Sequence, residues 1–336
     1  MTLRYLSLFS GIGGFDLGFD RAGMVCAGQV EYDAAARSVL ARHWPDVKRM
    51  NDVREVQGDE FGAIDVICGG FPCQDVSVAG RREGLAGERS GLWFEFRRIV
   101  DRAKPRWVVV ENVPGLLSSH GGRDFATVVR GLVECGYGVA WRVLDAQYFG
   151  VPQPRRRVFI VASLRNGAAA GAIFDAQSAY GDKAASGIKE REDYPGDDSG
   201  YLYGHWWNGR DVSQTLDAVL YKKQALPEKN RFPAVMVPVW QRCDCCEDYW
   251  CNLHHMHAYD CDCPPVEEFE RYPYEPGLLR WITPVEAERL QGFPDGHTYG
   301  QSGSARYRQM GNAVAVPVAE WIGRRIVAAE MEVNPQ

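Results

Sequence analysis

A short apolar run, Ile64-Asp65-Val66-Ile67-Cys68, ends at Gly69-Gly70-Phe71-Pro72-Cys73-Gln74, and this junction restricts the possible folds more than any other stretch. The run has the length of a buried strand. Two glycines and a proline then end its ladder and force a constrained turn. Cys73 is left at the C-terminal end of a strand, where open α/β sheets hold their ligands. Free cysteine is among the most buried residue types, so a structural thiol is one reading. The other is a nucleophile, because a Gly-rich loop near the N-terminus, Glu111-Asn112-Val113 and Arg155-Arg156-Arg157 all fall where a partner group would be useful.

The same strand-then-turn grammar runs through the first half of the chain. Tyr5 to Phe9 reads as a strand entering Ser10-Gly11-Ile12-Gly13-Gly14, a turn whose backbone N–H groups can approach a ligand at the start of a helix. The third glycine of a dinucleotide fingerprint is missing, since position 16 is Asp16. Val25 to Glu31 is a second strand ending in an acid about 20 residues past the loop, which is either solvated or a ribose acceptor. Asp33 opens a helical stretch; Asp52 is either a turn former or an acceptor for an adenine amino group. Helices are expected over Gly91 to Ala103 and Arg123 to Cys135, and strands over Trp107 to Val110, Tyr137 to Leu144 and Val158 to Ala162. Strands alternating with helices imply a largely parallel sheet covered on both sides. Arg155 and Arg157 share one face of an extended segment, with Arg156 opposite.

Ser77 to Ser90 carries three glycines and Arg81, Arg82 and Arg89, the makeup of either a phosphate-contacting lid or a solvated loop. Regular periodicity stops at Asn166 and resumes at Thr283, where Thr-Pro opens a helix as cap and first position. A second amphipathic helix runs from about Val316 to Ala329. The expected organisation is therefore a catalytic and cofactor domain at 1–164, an irregular insertion at 165–279, and a segment at 280–336 that packs back onto the first. Aromatic and basic residues in the insertion (His205, Trp206, Trp207, Arg210, Lys222, Lys223) suit either a nucleic-acid surface or a small core.

The chain has 10 cysteines and neither a signal pattern nor an apolar run able to cross a bilayer, so an intracellular, cytoplasmic, reduced protein is expected. Its net charge of -6 argues against indiscriminate nucleic-acid binding while permitting a local basic groove. Cys243-Asp244-Cys245 and Cys261-Asp262-Cys263 crowd one window with Cys246, Cys251, His254, His255 and His257. Thiolates this dense in a stretch poor in apolar residues suit tetrahedral zinc, with Cys243, Cys245, Cys261 and Cys263 as first choice and Cys246, Cys251, His254 and His257 as alternatives. Reactive or incidental thiols are the other reading.

Taken together and in order, these motifs resemble the DNA (cytosine-5) methyltransferases over nearly the whole chain. Phe9-Ser10-Gly11-Ile12-Gly13-Gly14 resembles the family's S-adenosylmethionine loop; Pro72-Cys73-Gln74 its catalytic P-C-Q; Glu111-Asn112-Val113 its E-N-V; Gln153, Arg155 and Arg157 its Q-x-R-x-R. Arg280 to Pro294 and Gln309 to Pro317 resemble its last two blocks. The resemblance implies a Rossmann-like class I methyltransferase fold, α/β and doubly wound, with an inserted target-recognition domain. It implies cofactor contacts from Phe9 to Gly14, Glu31, Tyr32, Asp52, Val53, Pro72, Asn312 and Val314. Catalysis would fall to Cys73, Glu111, Arg155 and Arg157: the thiolate adds at C6 of a flipped-out cytosine, Glu111 serves N3, Arg157 contacts O2 and Arg155 supports that wall. DNA contacts would come from Gln74, Ser77, Arg81, Arg82 and Gln153. Double-stranded DNA is the expected partner of a monomer, with a cognate restriction endonuclease or phage DNA protection as context. Ser7 departs from the acid many members carry before the loop, with little consequence expected. Rival readings are a tRNA cytosine methyltransferase, a nicotinamide or flavin oxidoreductase, and an inactive DNA-binding protein.

Overall fold

The computed structural model describes residues 2–72, 91–165, 167–174, 234–237, 241–242, 249–250 and 278–332. Its frame is a seven-stranded sheet of order β3-β2-β1-β4-β5-β7-β6, built from β1 (Arg4–Leu8), β2 (Val25–Val30), β3 (Arg49–Met50), β4 (Val66–Gly69), β5 (Trp107–Asn112), β6 (Gly138–Asp145) and β7 (Arg156–Ser163). The first five strands pair in parallel, as alternation with helices requires. The sheet is not parallel throughout, however. β7 runs antiparallel between β5 and β6, because the segment between Asp145 and Arg156, which opens with a 3₁₀ turn, is too short for a crossover.

Strand alternation sends two sets of side chains to opposite faces. Tyr5, Val66, Cys68, Val109, Phe159 and Val161 point to one side. There they meet α1 (Gly14–Arg21), α5 (Ala168–Phe174) and α8 (Val316–Met331). Leu6, Leu8, Ile67, Val108, Val110 and Ile160 point to the other side. They are covered by α3 (Leu92–Ala103) and α4 (Arg123–Glu134), whose Trp93, Phe96, Ile99, Val128 and Leu132 are fully buried. A third, smaller core joins α2 (Ala34–His43) to α6 (Pro284–Leu290) and α7 (Gly303–Asn312) through Val39, Ala287, Phe293 and Met310.

The C-terminal helices return to the sheet by identifiable contacts. Thr283 caps α6 in a capping box with Glu286, and Pro284 stands in its first turn. Glu330 near the end of α8 accepts from Trp107 Nε1 at 2.9 Å and Arg165 at 2.6 Å, and also pairs with Arg106. α7 was not expected; its polar sequence Gly-Ser-Ala-Arg-Tyr-Arg-Gln lacks a broad apolar stripe. Between α5 and α6, two antiparallel ribbons are described: β8 (Ala234–Val237) with β11 (Leu278–Trp281), and β9 (Gln241–Arg242) with β10 (Tyr249–Trp250). Among the described residues no helix is long and apolar enough to cross a membrane.

α1 and α8 approach closely enough to exclude a methyl group. A Cβ at Gly18 would lie 2.6 Å from Ala319 Cβ and 2.7 Å from the Glu320 amide nitrogen. Gly18→Ala is expected to destabilise the fold by about 1–3 kcal/mol, read as a lower urea midpoint.

Candidate active site

The C-terminal edge of the sheet gathers the polar side chains. At β1 the chain leaves through Phe9 and enters α1 by way of Gly13, whose φ of 87° is left-handed and favours glycine. Ser10 ties this loop to β2: its N–H donates to the Val30 carbonyl at 3.0 Å and its Oγ accepts from the Val30 N–H at 3.2 Å. Glu31 takes the Gly11 N–H on one carboxylate oxygen and the Asp33 N–H on the other, each at 2.7 Å. Burial raises its carboxyl above the usual range although both bonds oppose the shift. Space is open on the outer side of Gly11, where an added Cβ would meet nothing within 4 Å.

The neighbouring positions divide between cleft and core. Tyr32 is 75% exposed beside Glu31. Asp52 caps a 3₁₀ turn and is gripped by Arg54, which holds its carboxyl below the usual range. The side chains of Ile12 and Val53 are buried. Val314 packs on Gly14, where a Cβ would sit 2.7 Å from it, while Asn312 is exposed.

Beneath the loop lies an acid that was read only as a missing glycine. Asp16, in the first turn of α1, is fully buried. It accepts from Ser7 Oγ and from Gln29 Nε2, both at 2.9 Å. Ser7 is thus the hydroxyl partner of a buried acid supplied by the helix.

At β4 and β5 the second cluster forms. Glu111 is the last residue but one of β5 and lies next to Gly70, where an added Cβ would stand 2.8 Å from Glu111 Oε2. Its other oxygen accepts from Arg157 Nε at 3.0 Å. Phe159 pairs with Glu111 across the strands, so Arg157, two residues earlier, is its diagonal neighbour on the same face. Burial drives the Glu111 carboxyl up; Arg157 and then Arg155 pull it back without cancelling the shift. A carboxyl in this balance is suited to hold or share a proton.

Asn112 is 3% exposed and donates its side-chain amide to the Phe71 carbonyl at 3.3 Å. Phe71 packs on Trp93 with ring centroids 5.4 Å apart. These contacts anchor the chain just before Pro72, the last described residue ahead of position 73. Cys73, Gln74, Ser77, Arg81 and Arg82 lie outside the described residues. So do Cys243, Cys245, Cys246, Cys251, Cys261, Cys263, His254, His255 and His257. Among the described residues no group of three or more His, Cys, Asp or Glu side chains could hold a metal ion.

Two of the expected site residues are held by the protein's own backbone. Gln153 is completely buried and its amide donates to the Leu290 carbonyl at 2.8 Å. Arg155 is 2% exposed, with its guanidinium on the carbonyls of Gly311 at 2.9 Å and Ala313 at 2.7 Å. These bonds tie the residue just before β7 to the end of α7 and the residue that follows it.

Burial pushes the Asp16 carboxyl up to about 6. An acid with a raised native pKa binds more protons folded than unfolded, so it costs stability as pH rises from about 4 to about 6 and beyond. Asp16→Asn is expected to exceed the wild type by on the order of 2 kcal/mol at about pH 8, the gain vanishing near about pH 4, in urea titrations at each pH.

The model of the C-5 cytosine-specific DNA methylase family matches residues 3–328. The chain is 32% identical over 340 residues to the Type II methyltransferase M2.BsuMI of Bacillus subtilis strain 168, covering 96% of this chain and 75% of that protein. It is 29% identical over 341 residues to the Type II methyltransferase M.MspI of Moraxella, covering 99% and 72%. Among solved structures it is similar to the Entamoeba histolytica methyltransferase EhMeth, with a TM-score of 0.65, 14% identity and 98% of each chain covered. The Schizosaccharomyces pombe Dnmt2 methyltransferase superposes with a TM-score of 0.61 at 19% identity, over 99% of each chain.

Proposed function

The chain belongs to the C-5 cytosine-specific DNA methylase family, and on that premise we propose that it methylates cytosine within a specific double-stranded DNA sequence, using Cys73 as a covalent nucleophile. The observation that carries the site assignment is the Glu111 carboxyl, buried against Gly70 and paired with Arg157 at the end of β5.

The residues at the first three strand ends fit S-adenosylmethionine. The Gly11–Gly14 turn offers open space at Gly11, and Glu31 offers a carboxylate already aimed by two N–H groups. Tyr32, Asp52, Pro72 and Asn312 stand around the same edge. When bound there, S-adenosylmethionine supplies an electrophilic methyl group on a sulfonium.

Carbon 5 of cytosine is too weak a nucleophile to take that methyl unaided. The Cys73 thiolate bonds to carbon 6, and the ring's C5–C6 π pair moves onto carbon 5, which then accepts the methyl. Glu111, whose carboxyl burial pushes above the usual range, donates to N3 as charge builds on the ring. Arg157 orients that carboxyl and reaches toward the O2 side. Removal of the C5 proton by a base restores the double bond and expels Cys73 as thiolate. A stacked base cannot enter such a site, so the cytosine is flipped out. Residues 165–279 form the target-recognition domain in this reading and read the flanking bases. A structural zinc on Cys243, Cys245, Cys261 and Cys263 would hold part of it, a role for which the support is the crowding of thiols in a stretch poor in apolar residues. Action as a cytoplasmic monomer beside a cognate restriction endonuclease completes the reading.

Duplex DNA carrying 5-fluorocytosine at the target lacks the proton that must leave, so the enzyme should be trapped as an adduct mapping by mass spectrometry to residue 73. Cys73→Ala should give no adduct and no methyl transfer; an adduct elsewhere overturns the assignment. Glu111→Gln should slow transfer of tritiated methyl to DNA by roughly 10² to 10⁴. Label appearing in tRNA rather than DNA would favour the RNA rival.

A further inference from the structure

We propose that His297 is a positioning residue for the cofactor, holding the Gly11–Gly14 loop in its binding conformation from the far end of the chain. The inference depends on that loop being where S-adenosylmethionine binds. His297 Nε2 lies 2.7 Å from the carbonyl oxygen of Ile12, across 285 positions of sequence. A carbonyl only accepts, so Nε2 carries the proton and donates.

The imidazole has little freedom to do anything else. It is 2% exposed, and burial lowers its pKa to about 4, which keeps it neutral in ordinary buffers. It stacks on His43 with centroids 4.0 Å apart and planes 8° from parallel, and it also packs against Phe293 at 4.5 Å. His43 Nε2 donates to the His297 carbonyl at 2.8 Å, and Arg42 donates to the same oxygen at 2.5 Å.

Both sequence neighbours of His297 are pinned by one carboxylate. Glu288 on α6 is fully buried; it accepts from the Gly296 N–H at 2.7 Å and the Thr298 N–H at 2.9 Å, and Arg306 neutralises it at 2.7 Å. The Thr298 hydroxyl, Arg306 and the Thr298 N–H hold its carboxyl below the usual range against the cost of burial. The loop side is equally defined. Gly11 is held by Glu31 and the Gly13 N–H by the Ser10 carbonyl at 2.9 Å, which leaves the Ile12 carbonyl as the part of the loop turned toward α2 and the C-terminal segment. His297 therefore fixes the orientation of the Ile12–Gly13 peptide, immediately before α1 begins.

Titration calorimetry with S-adenosylmethionine and amide hydrogen exchange test this on the full chain. His297→Ala should weaken binding about tenfold, the worth of one buried hydrogen bond, and raise exchange at residues 11–14, with KM for DNA unchanged. His297→Gln places an N–H donor at similar reach and should recover most of the affinity. If His297→Ala does not fold, His297→Phe keeps the stack and lacks the donor, and should show the same loss. Wild-type affinity in the donor-less variants, or a Gln variant as weak as Ala, overturns the proposal. Glu31→Gln separates the two layers of argument. If it leaves binding intact, the loop is not the cofactor site; if it weakens binding while His297→Ala does not, only the role of His297 fails.

Discussion

A carboxyl largely withdrawn from water beside two arginines sets the terms for the rest of this fold. Left in water next to cations, Glu111 would be an ordinary anion. Taking it largely out of water works against that, and this requires a wall with no side chain on the β4 side, which Gly70 provides. The arginines are then separated by role. Arg157 touches the carboxylate, while Arg155 spends its guanidinium on two backbone carbonyls behind it. One sets the acid's orientation and the other the shape of the wall that holds it.

The reversal of β7 is what lets these groups meet. In a parallel sheet the first residues of every strand lie at the edge opposite the ligands. By running backwards between β5 and β6, β7 brings its opening residues to the ligand edge, with Arg157 diagonal to Glu111. The cofactor side is organised by another means, a turn whose backbone is held from β2 by Glu31 and from the C-terminal segment by His297.

Much of the frame was legible because the strands are short runs of β-branched residues stopped by glycine, proline or an acid. Val66–Gly69 and Trp107–Asn112 sit within a residue or two of where that pattern ends. Thr283 with Pro284 announced α6 by its cap chemistry alone. Strand direction was not legible, since alternation is identical for parallel and antiparallel neighbours. Nor was the fate of Gln153: an amide reads as surface unless its acceptor is known, and the Leu290 carbonyl is 137 residues away. Asp16 shows the same blindness. A buried acid and a surface acid have the same letter, and only the Ser7 and Gln29 donors around it tell them apart.

Gln153 and Arg155 sit just before β7, yet their partners, Leu290, Gly311 and Ala313, come after the long irregular stretch. These bonds staple shut the two ends of whatever chain lies between α5 and α6. Once the ends are fixed, the entropic cost of closing a loop rises only by about 0.6 kcal/mol for each doubling of its length. The two ends therefore tolerate a connection of widely different length between them at nearly constant stability.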